Sequence, residues 1–144
     1  MSTLRRYAYT QRDPQNAATG YAPLLPLRLE KSGVSVDAVA LLDSGASVNV
    51  LPYSIGVALG LDWDTERGNI RLSGNLSGVP SRVVLLMGAV DGFAPAALAF
   101  TWTQTDAVPL ILGQVNFFME FAVCFFRSEI AFEVTAKTSP NPAP

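Results

Sequence analysis

One aspartate, delivered to the end of an apolar run, constrains this chain more than any other residue. From Val36 to Pro52 the sequence reads VDAVALLDSGASVNVLP: Ala38 to Leu42 leads into Asp43, the turn Ser44-Gly45-Ala46 follows, and a second apolar segment, Val48 to Leu51, leads away. Runs of this kind read as buried strands, and an ionised carboxylate left unpaired at the end of one costs several kcal/mol. Something must compensate Asp43. Gly45 supplies a residue free to take positive φ or to admit another backbone, and Ser44 supplies a hydroxyl for a nearby main-chain group. The other eleven acids lie among polar, Gly or Pro neighbours, alternate with apolar residues, or sit on the wet face of a short helix. The plain reading of Asp43-Ser44-Gly45 is an Asx or type I turn closing a hairpin. Against it stands the apolar run that resumes so soon after the glycine.

Composition narrows the chemistry. The chain of 144 residues has no His and one Cys, which excludes Ser-His-Asp and Cys-His hydrolases and the His- and Cys-based zinc sites. Acid–base work falls to carboxylates, Lys or Tyr. No Gly-Lys-Ser/Thr loop or Gly-x-Gly-x-x-Gly offers a phosphate cradle, and no metal or cofactor is expected. A net charge of −2 with scattered Lys and Arg gives no basic stripe for nucleic acid. There is no apolar run of roughly 18 residues to span a membrane and no signal-peptide core in MSTLRRYAYTQRDPQ. Cys124, without a partner in the chain, fits a reducing compartment, so a cytoplasmic location is expected. With 49% hydrophobic against 15% charged residues, the apolar share is large for one domain and points to a partner subunit.

The remaining pattern is mostly strands. Residues 1–20 read as an N-terminal arm, 21–134 as the folded domain, and 135–144 (TAKTSPNPAP) as a disorder-prone tail. Leu27 to Glu30 and Val34 to Leu42 form a predicted hairpin, and Tyr53 to Leu59 one or two helical turns before Gly60. Arg67 to Leu72 and Ser81 to Met87 read as strands joined by the small, polar loop Ser73 to Pro80. Phe93 to Thr103 and Val108 to Leu112 are further strands, Gln114 to Phe121 a short helix, and Val123 to Phe126 with Ile130 to Val134 a last hairpin. Trp63 and Trp102 read as core or rim aromatics, Cys124 as a buried small hydrophobe, and the Phe117 to Phe126 aromatics as core and interface packing.

Leu41-Leu42-Asp43-Ser44-Gly45-Ala46 resembles the active-site signature of the aspartic proteases, apolar residues followed by Asp-Thr/Ser-Gly-Ala/Ser. Leu110-Ile111-Leu112-Gly113, ahead of a short helix, is similar to the family's second, apolar-Gly motif. The spacing between them is like that of the retroviral branch, and the resemblance covers Leu24 to Val134. It implies an all-β, retropepsin-like fold, a closed or orthogonal β-barrel with one short helix, forming half of a symmetric homodimer. It further implies an aspartic endopeptidase acting on polypeptide, with Asp43 catalytic, Ser44, Gly45 and Ala46 in the active-site loop, and Ser47, Gly74, Asn75, Leu76, Ser77, Gly78 and Ile111 against substrate. Residues 73–80 would be a flap, and strands near the chain ends, Glu129 to Val134 among them, would join the dimer. The alternative is a catalytically weak peptide-binding or dimerisation module of the same fold. Many viral members carry an acid and an Arg where this chain has Ser47 and Gln114; losing both charges together is consistent with a neutral hydrogen bond in place of an ion pair.

Overall fold

The computed structural model describes residues 3–65, 69–71 and 78–137. Twelve strands and two short α-helices follow one another along them. Strands β1 (Leu4–Ala8), β2 (Thr10–Gln11) and β3 (Tyr21–Ala22) precede β4 (Leu24–Lys31), β5 (Val34–Leu42) and β6 (Asn49–Leu51). Helix α1 (Tyr53–Ala58) leads to β7 (Asn69–Arg71), β8 (Pro80–Ala89), β9 (Ala96–Thr103) and β10 (Ile111–Leu112). Helix α2 (Phe117–Glu120), β11 (Phe121–Phe126) and β12 (Ala131–Ala136) complete the chain. The molecule is all-β. None of its helices, among the described residues, is long and apolar enough to cross a membrane.

Period-two patterning builds the barrel. In β4, Leu25, Leu27 and Leu29 point inward while Pro26, Arg28 and Glu30 face out. Pro26 is tolerated because β8 pairs with β4 only from Arg28 to Glu30, leaving that side of Pro26 without a ladder. The strand order is β4-β5-β10-β6-β9-β8-β7, and the further β4–β8 pairing closes the sheet on itself. Leu42, Leu86, Leu98, Phe100, Trp102 and Leu112 fill the interior.

A second sheet of three strands, β1-β12-β11, packs on that core through Phe121, Phe132 and Val134. Where the sequence suggested an arm over residues 1–20, Leu4–Ala8 is a strand, and Thr10–Gln11 pairs with Tyr21–Ala22. Four of the five β1 residues are exposed, so no apolar alternation marks the strand. It is held instead by its ladder to β12, by Tyr7 stacked on Phe132 at 5.2 Å between ring centres, and by Arg6, which pairs with Glu129 and Glu133. Burial, then the nearby Asp91 charge, raises the Tyr7 phenol pKa and keeps it neutral in that contact. Because β12 is flanked on both sides, the open edges of this three-stranded sheet are β1 and β11.

Candidate active site

The two sequence motifs meet at one junction. Strand β10 lies between the arms of the Asp43 loop, parallel to β5 (Ile111 beside Leu41, Leu112 beside Leu42) and antiparallel to β6 (Ile111 beside Val50). The apolar run before Asp43 and the apolar run before Gly113 are therefore neighbours. Ala40, Leu42 and Leu112 are buried and Leu41 and Ile111 half-buried, but Val39 is exposed, so the buried strand expected from the sequence holds only for the inward-facing residues. Leu41 N–H donates to Leu110 O at 2.8 Å and Asp43 N–H to Leu112 O at 3.0 Å. Past the strands the two loops stay in register: Gln114 N–H donates to Ala46 O at 2.9 Å, Val115 N–H to Ser47 O at 3.0 Å, and Asn49 N–H to Val115 O at 3.0 Å.

Asp43 is half-buried at the mouth of this junction. Its Oδ1 accepts the Gly45 N–H at 2.9 Å, an Asx turn, and Ala46 N–H donates to the Asp43 carbonyl at 3.1 Å. The Asx turn expected of a plain Asp-Ser-Gly is thus present, yet it closes no hairpin, since β10 separates its arms. A main-chain donor and partial exposure are what offset the carboxylate. Gly45 serves by close approach, because a Cβ there would stand 3.3 Å from Asp43 Oδ1 and its φ is not positive. Gly113 is needed for the same kind of reason: a Cβ would come within 2.5 Å of Val48 O and 2.7 Å of Ala46 O.

The other sequence-predicted residues divide. Ser44, Gly45 and Ser47 are exposed on the Asp43 loop and Ala46 is half-buried there, while Ile111 is half-buried in β10 beside Leu41, two residues before Asp43. Gly78 is exposed in a turn with φ of +84° leading into β8. Gly74, Asn75, Leu76 and Ser77, and with them most of the expected flap, lie outside the described residues. The Gln114 side chain does make a neutral hydrogen bond to the Asp43 loop, but to the main chain of Ser44 and not to the Ser47 side chain that stands where the ion pair's acid would be: Gln114 Nε2 donates to Ser44 O at 2.7 Å. A cleft of about 600 Å³ on the outside of β4 and β5, lined by Pro26, Arg28, Asp37, Val39, Val90 and Phe93 among others, includes none of these residues and is a separate feature.

Sequence reasoning missed Asn49 and Asn116. Asn49 is fully buried in β6, its Oδ1 accepting Gly113 N–H at 2.8 Å and its Nδ2 donating to Ala99 O at 3.0 Å and Asn116 Oδ1 at 3.2 Å. Asn116 Oδ1 also accepts Ala99 N–H at 2.9 Å, and its Nδ2 donates to Ala97 O at 2.8 Å. The signal was available: Asn49 is the one polar residue in Val48 to Leu51, as out of place there as Asp43 is at the end of β5.

No protein-family model matches the chain, and no curated protein matches it in sequence. Among solved structures, a retropepsin-like aspartic protease from Rickettsia conorii superposes with a TM-score of 0.62 at 13% identity, over 94% of each chain. The chain has the retropepsin-like fold. EIAV protease, in complex with the inhibitor HBY-793, is similar over 67% of this chain and 86% of its own, with a TM-score of 0.50 and 18% identity. At such identities the likeness concerns backbone architecture. At the junction this chain carries Ser44 in the first motif and Gln114 bonded to the loop carbonyl.

Proposed function

We propose that the protein is an aspartic endopeptidase that cleaves extended polypeptide as a symmetric homodimer, with one Asp43 from each copy at a shared site. The observation that carries this reading is the position of Asp43, held by main-chain bonds to the second motif while its carboxyl remains half-exposed at the loop mouth. A single chain offers one such carboxylate, and peptide hydrolysis of this type needs two in different protonation states. A two-fold axis between two Asp43 loops supplies the second, residue against its own copy. Like charges about 3 Å apart cannot both ionise, so the pair shares a proton. The ionised member takes a proton from a bound water, and the water oxygen attacks the scissile carbonyl carbon. The protonated member hydrogen-bonds and then protonates the carbonyl oxygen. As the tetrahedral intermediate collapses and the C–N bond breaks, the carboxyl that took the water's proton passes it to the leaving nitrogen. A hydroxyl of the intermediate returns a proton to the other carboxylate, which leaves a carboxylic acid and an amine and restores the shared-proton pair. An extended substrate would lie between the Asp43 loops, Ser47 and Ile111 on one side and residues 74–78 on the other, bound through main-chain hydrogen bonds.

The test is Asp43→Asn, in which the amide nearly matches the acid in shape and can neither hold negative charge nor act as a base. Cleavage of a casein-like substrate on the acid side of neutrality, sensitive to pepstatin in the parent, should fall by at least about 10²-fold in the variant. Circular dichroism and oligomeric state should stay unchanged. Equal cleavage by parent and variant would sink the reading. Peptide binding without cleavage in the parent would replace it with the peptide-binding module.

A further inference from the structure

We infer that Asn49, acting with Asn116, is a positioning residue that holds the Gly113 loop against the Asp43 loop; its catalytic consequence rests on the protease reading above. The argument begins where β10 ends. The ladder of β10 stops at Leu112, so the Gly113 N–H points past the last paired residue and needs an acceptor. Asn49 Oδ1 is that acceptor, at 2.8 Å. An apolar residue in the fully buried β6 strand would fill the same space and leave this N–H unsatisfied, at a penalty typical of an orphaned buried donor.

The amide does more than satisfy one donor. Its Nδ2 ties the same point to Ala99 O and to Asn116 Oδ1, and Asn116 in turn grips both Ala99 N–H and Ala97 O. The two side chains thereby fix the turn after the second motif to β9, a central strand of the barrel. The partners of both side chains are backbone groups or the other asparagine, so the network is closed and allows little sliding. From Gly113 the position passes to Asp43 through its immediate neighbours, Leu112 O accepting Asp43 N–H and Gln114 N–H donating to Ala46 O. A displacement of the Gly113 turn therefore moves the carboxylate, and reaction geometry is steep in such displacements.

Asn49→Leu keeps the approximate shape and removes all three bonds; Asn49→Asp keeps an acceptor for Gly113 while losing the amide donors. Two readouts are taken together: peptide cleavage, and amide hydrogen exchange at Gly45, Gly113 and Gln114 relative to β8 and β9. For Asn49→Leu we expect kcat to fall about 10- to 100-fold with KM within about twofold, since substrate contacts remain. Exchange should quicken at Gly45, Gly113 and Gln114 while β8 and β9 stay protected, and Asn49→Asp should retain more protection at Gly113 than Asn49→Leu. If Asn49→Leu does not fold, Asn116→Ala, at a half-buried position, carries the same readouts. A folded variant with unchanged exchange at these amides overturns the inference, as does a loss of protection spread evenly over the barrel. Should the parent cleave nothing while the local exchange response appears, the protease reading falls and the holding role of Asn49 stands.

Discussion

Gln114 donates its side-chain amide to the Ser44 carbonyl at 2.7 Å, a neutral bond that ties the second motif to the residue beside the candidate catalytic acid. Both residues are exposed in the single chain, so the bond works in contact with water and its net worth is modest, about 0.5–1.5 kcal/mol. What it adds is register, because the main-chain bonds from Gln114 and Val115 to Ala46 and Ser47 lie immediately alongside.

Gln114→Leu and Gln114→Glu separate the bond from the electrostatics. The leucine variant loses a donor and leaves Ser44 O to water, so urea unfolding should show a loss within the range just given. Glutamate adds a negative charge facing a carbonyl and close to Asp43. Its activity should fall further than that of the leucine variant near neutrality and recover relative to it in acid, where the new carboxyl protonates. Identical pH profiles for the two variants would show that charge at residue 114 does not reach the site.

The strand before Asp43 carries its own charge pair. Arg28 Nε meets Asp37 Oδ1 at 2.8 Å across β4 and β5, and that hydrogen bond, then the guanidinium charge, holds the Asp37 carboxyl below its ordinary value. A depressed carboxyl contributes stability above its unfolded pKa and loses it as pH falls through the folded one. The contribution therefore survives from neutrality down to the ordinary aspartate range and vanishes in stronger acid. Both side chains are exposed, 61% and 74%, so the effect is small and screened by salt. Arg28→Leu should lower Tm slightly at pH 6 in dilute buffer, with the difference from the parent closing below about pH 3 and in about 1 M salt. A Tm difference that ignores both pH and salt would assign the role of Arg28 to its alkyl chain.

How much of this was legible in the sequence depends on where each element finds its support. Strand β5 reads directly as Val34 to Leu42 because its inward residues form an apolar run bounded by the Ser32-Gly33 turn and Asp43. The approach of Gly113 to Asp43 was implied by motif resemblance, not by any local pattern, since the pairing joins residues some 70 positions apart. Strand β1 was invisible for a related reason. Its hold comes from Glu133 and Phe132 at the other end of the chain, and its own five residues show no alternation. Asn49 was hidden inside a segment read only for its apolar neighbours. The predicted helix Gln114 to Phe121 shrinks to Phe117–Glu120 because Gln114 and Val115 give their N–H groups to the Asp43 loop, and Phe121 begins β11.

The edge through which the two copies of the proposed homodimer would meet supplies the last prediction. With β12 enclosed by its neighbours, the terminal sheet offers two edges, and they differ in charge. Strand β1 carries Arg5 and Arg6, and antiparallel pairing with its own copy would bring arginines together. Strand β11, Phe-Ala-Val-Cys-Phe-Phe, has no charge and no proline, and Ala122 and Phe125 are exposed together with Cys124, whose apolar neighbours suggest burial but which lies on the outward face of a sheet edge. An uncharged apolar edge of this kind is a template for strand addition, and pairing with its own copy opposes no like charges. It also follows directly on α2 and the Gly113 turn, so an axis through β11 lies on the segment that reaches the Asp43 loop. Cys124→Lys discriminates between the edges. Within one chain the lysine stands across from Glu133, so the monomer should be unharmed or gain a few tenths of a kcal/mol. On a β11 edge paired with its own copy each strand would gain a positive charge, and light scattering at tens of micromolar should shift from dimer to monomer with cleavage lost in step. Leu4→Lys on the β1 edge is the control and should remain dimeric and active. If Leu4→Lys dissociates the protein while Cys124→Lys does not, the two-fold axis runs by β1 and the assignment to β11 is wrong.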